Sequence, residues 1–410
     1  MKVLYFDPKF LTPRHSAPTR AYALARHLVE RGHHVTMVAR DPRWLEVAPR
    51  SRRRRPLTRE RVDGIDVLWM TIPYDQAFAK TRRLLSYGAY AAAASVVAAA
   101  APRPEVVYAS STPLTVGIPG AVAGALKHVP FVFELQDLWP AAPAAMGFLT
   151  GRSEIAAAEW LERRLYDRAE RLVVCSQTVV SELVRRGIPE EKLVLIPNFS
   201  DLELFRPRGR EDGGRARHGL EGKFVAVYSG SMGVANGVYQ LADAAAALKR
   251  AGKENVAIVA LGSGSERDAL EQRVRDERLD NLLVLPPVPR MEMPAVIASA
   301  DVTLTIFAPN PVFELNSPNK FFDSLAAGKP VVVNVDGWLR SLVEENKAGV
   351  YVPAGDGEAL ARALMALAER RDGLAELGEN ARALATREFS QDLLADRFAS
   401  TLEDVARRHG

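Results

Sequence analysis

Short apolar runs alternate with helical patterns along almost the whole chain, and this alternation breaks once and then restarts. No other feature constrains the fold as strongly, because strands and helices in regular alternation build parallel sheets covered on both faces. In the first half, residues 3–6, 34–38, 67–70, 106–109, 131–134, 172–175 and 193–196 read as strands. A helix is expected over 19–31, with Gly32 at its C-terminal cap. Pro197-Asn198-Phe199 then opens a polar stretch to about Gly222 with the composition of a linker. The strand pattern resumes at 224–228 and continues through 256–261, 283–285, 302–306, 331–334 and 350–352. Two similar α/β halves are therefore expected, with a cleft between them taking ligands outside the strand carboxyl ends. Near the end, Leu393, Leu394, Phe398, Leu402 and Val405 share one helical face, either of a helix packed across both halves or of a simple terminal helix.

A chain of 410 residues suits two domains, and 48% hydrophobic with 25% charged residues is the balance of a folded globular protein. Cys175 is the only cysteine, so no internal disulfide forms. The opening run reads as a strand rather than a signal peptide. The Ala-rich run at 88–101 ends at Pro102 and falls short of the roughly 20 residues that span a bilayer, so no segment is expected to cross a membrane; with a single cysteine suiting a reducing compartment, a cytoplasmic protein is expected. The basic residues cluster at Arg50, Arg52, Arg53, Arg54, Arg55, Arg59 and Arg61. They make either a solvated loop or a contact with anionic lipid headgroups, each side chain adding about 1 kcal/mol. No aromatics interleave with them, and nucleic acid is not an expected partner.

Several chemistries lack their residues. There is no Gly-x-x-x-x-Gly-Lys-Ser/Thr loop, no Gly-x-Gly-x-x-Gly after the first strand, no aspartates spaced two apart, no His-Glu-x-x-His and no nucleophile elbow. Three turns in the second half are more informative. Tyr228-Ser229-Gly230-Ser231-Met232-Gly233 and Leu261-Gly262-Ser263-Gly264-Ser265 each follow a strand, where glycines let backbone approach an anion or simply make a connection. The third, Asn316-Ser317-Pro318-Asn319-Lys320-Phe321-Phe322-Asp323, leads into a helix ended by Gly328. Lys320 could neutralise a diphosphate and Asp323 accept from ribose hydroxyls. Alternatively, Lys320 is a surface charge and Asp323 an early-helix residue favoured by the dipole.

These turns, taken in order with the helix ending Ala326-Ala327-Gly328-Lys329-Pro330-Val331-Val332, resemble glycosyltransferase family 4. Ala17-Pro18-Thr19-Arg20, Arg31-Gly32-His33-His34-Val35-Thr36, Asp137-Leu138-Trp139-Pro140, Ile196-Pro197-Asn198 and Val288-Pro289-Arg290 extend the likeness over the whole chain. The Ser-Pro-Asn-Lys and Asp-Leu-Trp-Pro runs resemble the branch that contains the L-fucosamine transferases of O-antigen, capsule and exopolysaccharide assembly.

The resemblance implies a GT-B fold, two Rossmann-like domains facing across a cleft. An acceptor domain would span residues 1–200, a nucleotide-sugar domain 207–385, and a C-terminal helix at 386–410 would return toward the first. It implies a retaining, metal-independent enzyme that needs no cofactor and uses a UDP-sugar, often N-acetylated, with a lipid-linked glycan as acceptor. On the donor side it places Ser231 and Gly233 near phosphate, Lys320 on phosphate, Asp323 near ribose, and Val288 and Arg290 near the base, with Asn236, Gly262 and Asn319 also binding the donor; Asp137, Lys320 and Asp323 are the expected catalytic residues. On the acceptor side it places Ser16, Arg20, Asp137 and Trp139. It also favours peripheral contact of Arg50 and Arg52 to Arg55 with the inner membrane face.

Departures accompany the likeness. Asp323 and Leu315 occupy the two positions where the family has glutamates, and Glu314 is one residue out of register. His15-Ser16-Ala17-Pro18 replaces paired glycines, Ser231 and Asn236 replace an Arg and a Lys, and Gln136 stands where many relatives have histidine. Donor phosphates would then depend on backbone N–H groups, Lys320, and Arg20 or Arg340. A UDP-sugar 2-epimerase of the same fold and an inactive nucleotide-sugar-binding protein are the rival readings.

Overall fold

The computed structural model describes residues 1–12, 20–42, 56–75, 78–209 and 212–409. The chain forms two compact units, one built mainly from Thr19–Pro197 and the other from Asn198–Leu393.

The first unit holds eight strands among its described residues: β1 Lys2–Phe6, β2 His34–Arg40, β3 Leu57–Val62, β4 Ile65–Met70, β5 Val106–Ser110, β6 Phe131–Leu135, β7 Arg171–Val174 and β8 Leu193–Leu195. Their order is β3-β4-β2-β1-β5-β6-β7-β8, parallel except for the β3–β4 hairpin. The second unit holds β9 Phe224–Ser229, β10 Val256–Leu261, β11 Leu282–Leu285, β12 Val302–Thr305, β13 Val331–Val333 and β14 Gly349–Tyr351. All are parallel, in the order β11-β10-β9-β12-β13-β14. Each sheet reverses direction of growth beside its first strand, between β1 and β5 and between β9 and β12. Such a switch point is where doubly wound sheets take ligands.

The parallel strands are buried on both faces, which is why they read as unbroken apolar runs. Val331, Val332 and Val333 have no exposure at all. The strand missed in the sequence is β3, whose Arg59, Glu60 and Arg61 leave no apolar signature on an exposed edge. It carries the last two arginines of the basic cluster, and Arg59 pairs with Asp66 at 3.2 Å. Arg50 and Arg52 to Arg55 lie outside the described residues, as does Ser16.

The last helix, Gln391–His409, belongs to the first unit from Leu394 onward. Phe398 is fully buried, edge-on to Tyr108 with ring centroids 4.9 Å apart and 6.5 Å from Tyr5. His27 and Arg31 meet Asp396 at 2.8 and 2.9 Å, and His33 meets Glu403 at 2.8 Å. Leu394, Leu402 and Val405 are buried as the pattern predicts, but Leu393 is exposed. It sits one position off the inward stripe. Among the described residues no helix is long and apolar enough to cross a membrane.

Candidate active site

The two glycine turns of the second unit form one interlocked structure. A Cβ on Gly262 would stand 1.8 Å from the Gly230 carbonyl oxygen, and one on Gly264 would stand 2.4 Å from that of Met232. Their φ values of 155° and 154° also lie where side chains are disfavoured. The Gly230 amide donates to Leu261 O at 2.9 Å, and the Met232 amide to Ser263 O at 2.8 Å. The Gly233 amide reaches the Asn236 side-chain oxygen at 3.3 Å. Three of the N–H groups in the first turn are thus engaged within the protein, which puts more of any anion binding onto side chains. Ser231 is exposed at the tip, with its carbonyl held by the Tyr228 hydroxyl.

Lys320 supplies such a side chain. The helix Asn319–Ala326 starts after Pro318, and Lys320 in its first turn reaches back to β9. Its ammonium lies 3.8 Å from the Tyr228 ring centroid and is buried with no hydrogen-bond partner. A Cβ on Gly230 would come within 3.1 Å of Nζ, so glycine there leaves room for the ammonium. Burial pulls its pKa down to about 7. A ring face compensates only part of the lost hydration. The arrangement is suited to an anion, which would supply the missing counter-charge.

Asp323 and Arg290 do not stand free for ribose and base. Arg290 donates to both carboxylate oxygens of Asp323 at 3.0 and 3.1 Å, and Ser200 adds a hydrogen bond at 2.8 Å. Arg290 also lies over Phe205, 4.8 Å from its ring centroid. The carboxylate is 6% exposed and saturated by these partners. A shorter side chain than the family's glutamate keeps it within this knot. Val288 and Asn319 are half-buried, and Gly262 lies within the interlocked turns. Glu314 sits in the short 3₁₀ turn Pro311–Leu315, its carboxyl raised by desolvation and then by Asp336.

In the first unit, Asp137 is half-buried and accepts from Thr112 Oγ1 at 3.0 Å. Trp139 packs edge-on to Tyr87, centroids 6.4 Å apart. Gln136 reaches Ser110 at 2.8 Å, and Ser110 in turn donates to Glu134 at 2.5 Å. Arg20 is committed elsewhere than expected. It pairs with fully buried Glu134 at 2.6 Å and donates to the carbonyls of Ile196 and Pro197 at 2.8 and 2.7 Å. Burial with these partners makes it a tie holding the end of the first unit rather than a phosphate ligand. The Cys175 thiol, pushed up to about 12 by burial, is not a nucleophile. Among the described residues no three His, Cys, Asp or Glu side chains gather to hold a metal ion.

Comparison with known proteins decides the family. Residues 17–198 match the glycosyl transferase 4-like domain, and residues 223–370 match glycosyl transferases group 1. This chain is a GT-B glycosyltransferase of family 4 type. It is 22% identical to the alpha-D-kanosaminyltransferase of Streptomyces kanamyceticus over 60% of this chain and 64% of that protein. It is 28% identical to the amylovoran biosynthesis glycosyltransferase AmsK of Erwinia amylovora over 36% of each chain. The matched stretches thus cover less than two thirds of these relatives. Anabaena HepE, solved in complex with UDP, superposes with a TM-score of 0.71 at 19% identity, covering 98% of this chain and all of that one. That likeness concerns the fold.

Two features of this glycosyltransferase escape sequence reasoning. Tyr228, the platform under Lys320, reads only as the end of a buried strand. Ser200, which completes the Asp323 knot, lies in what reads as linker. A tyrosine closing an apolar run just before a glycine turn is the one signal that pointed to the first.

Proposed function

We propose that this glycosyltransferase transfers a sugar from a UDP-sugar to an acceptor hydroxyl with retention at the anomeric carbon and without a metal ion. The observation that carries the donor site is Lys320, a buried ammonium with no counter-charge beside interlocked glycine turns. The diphosphate lies against Lys320 and the tip at Ser231 and Gly233. Asn236 holds the turn closed, with Gly262 beneath it and Asn319 at the helix start. Val288 and the Arg290–Asp323 pair wall the nucleoside side, and Asp323 meets ribose through water.

The anomeric C–O bond to the β-phosphate breaks, and negative charge builds on the departing diphosphate. Lys320, fixed before the reaction, stabilises that charge where it develops. A departing phosphate oxygen takes the acceptor's proton as the hydroxyl attacks the same face. No side-chain nucleophile is needed. Asp137 and Trp139 of the first unit orient the acceptor.

The relatives' roles in polysaccharide assembly support a cell-surface glycan pathway, with an N-acetylated hexosamine or deoxyhexosamine as the sugar and a lipid-linked glycan as the acceptor. Arg50 and Arg52 to Arg55 then contact anionic lipid; binding to anionic vesicles that survives their replacement by Ser removes that part. The central test is a thermal-shift screen of UDP-, GDP- and dTDP-sugars with and without EDTA. A folded-state ligand raises the melting temperature by linkage. An EDTA-insensitive shift with a UDP-sugar supports the reading, and no shift with any donor overturns it.

A further inference from the structure

A second unpaired cation lies in the first unit. Arg40 closes β2 and is 6% exposed. Its Nε and Nη2 are buried without a hydrogen-bond partner. Three rings surround the guanidinium: Tyr74 at 4.6 Å, Tyr90 at 5.3 Å and Tyr87 at 5.9 Å from its carbon. None of their hydroxyls is given to Arg40. That of Tyr90 donates to Val38 O at 2.8 Å, and those of Tyr74 and Tyr87 share a contact at 3.2 Å.

Asp7, the carboxylate whose charge acts on it, does not neutralise it either. Asp7 influences Arg40 electrostatically without forming an ion pair, and its Oδ1 already accepts from the Lys9 amide at 2.7 Å. A guanidinium buried against rings alone forfeits more hydration than the ring faces return.

Arg83, on the helix Lys80–Ala100, meets the hydroxyls of two of the same tyrosines, Tyr87 and Tyr74. Its Nε is nonetheless buried without a partner, and its guanidinium lies 4.3 Å from the Phe148 ring centroid. Tyr74 and Tyr87 stack on each other at 5.6 Å, and both contact both arginines. Arg40 stands at the carboxyl end of the sheet, one strand from the β1–β5 switch point, where α/β sheets bind ligands. Two planar forks with unused N–H donors and no paired acid match an oxyanion, which takes such donors in pairs.

We propose that Arg40 and Arg83 form an oxyanion subsite that reads a phosphate or carboxylate carried by the acceptor. The inference deepens the glycosyltransferase reading and rests on it for the word acceptor alone; the anion site itself stands on this geometry. The tyrosines supply a low-dielectric wall that strengthens the ion contact, and half-buried Tyr74 is the ring that can meet a sugar or an apolar carrier.

Calorimetric titration of the full-length protein, saturated with UDP so that the Lys320 region is filled, tests the subsite. Inorganic phosphate and glucuronate are injected separately. Saturable binding of at least one is expected, weakened about ten-fold or more in Arg40→Gln and more modestly in Arg83→Gln, with UDP affinity unchanged in both. A phosphate preference points to a phosphate-bearing acceptor, and a glucuronate preference to an acidic sugar. Equal affinities in wild type and both variants overturn the proposal, as does the absence of saturable binding to wild type. Near-UV circular dichroism checks that Arg40→Gln is folded; if it is not, Arg83→Gln, at a partly exposed position, decides alone. Failure of UDP itself to bind counts against the donor reading instead, and the same injections without UDP still report on Arg40.

Discussion

Lys320 holds its ammonium 3.8 Å over the ring of Tyr228 and has no hydrogen-bond partner. An unliganded protein carries that arrangement at a cost to its own stability, and the cost is measurable. Lys320→Met replaces the buried ammonium by an apolar chain of similar length. The variant is expected to be more stable than wild type by about 1–3 kcal/mol at pH 7 in denaturant unfolding, and to lose the thermal shift given by UDP.

The same lysine makes the stability gap depend on pH in a definite direction. Its folded pKa of about 7 lies below the ordinary 10.5, so between those values the unfolded chain binds the extra proton. Stability then rises with pH across this window. The advantage of Lys320→Met is therefore expected to shrink as pH climbs from 7 toward 10 and to be largest below 7. A constant gap would exclude a depressed lysine.

Donor binding should show the reverse linkage. A diphosphate beside Lys320 favours its charged form, so binding above pH 7 takes up a proton. UDP affinity is expected to fall by up to about ten-fold per pH unit between 7 and 9. Calorimetry in buffers of different ionisation enthalpy should count the proton, and Lys320→Met should abolish both effects.

Arg290 and Asp323 give a coupling prediction. Removing one partner leaves a buried charge alone, at a cost of about 3–5 kcal/mol. Asp323→Ala and Arg290→Met are each expected to destabilise on that scale, while the double variant costs much less than their sum. A double-mutant cycle that sums to zero would show the pair to be independent.

The glycines separate by what a methyl group would meet. Gly262→Ala forces Cβ against the Gly230 carbonyl and should destabilise by at least about 1–3 kcal/mol. Gly88→Ala meets nothing within 4 Å in the helix Lys80–Ala100 of the first unit and should stabilise by about 0.5–1 kcal/mol. Chemical denaturation of the two variants compares them directly.

The sheets were legible because burial on both faces writes each parallel strand as an apolar run. The hairpin strand β3 was not, since an exposed edge tolerates Arg59, Glu60 and Arg61. The motif around Lys320 stood out through its Pro, Gly and helix-start pattern. What its side chains do was hidden, because partners come from remote positions: Tyr228 for Lys320, Ser200 and Arg290 for Asp323, Glu134 for Arg20. A lone arginine at the end of a strand, such as Arg40, carries no mark of whether an acid waits for it. Periodicity reports which face is buried, and pairing depends on which chain segments the fold brings together.

The last helix inserts Phe398 against Tyr5 and Tyr108, so the first unit owns residues from both ends of the chain. A ribosome delivers those ends at opposite times. While the intervening segment emerges, the β1–β5 layer has no cover for its two tyrosines, and only the emergence of the helix Gln391–His409 supplies it. The second unit, continuous from Asn198 to Leu393, can mature while the first still waits. A stop codon a few residues before Leu394 would therefore damage the part of the molecule that was made first.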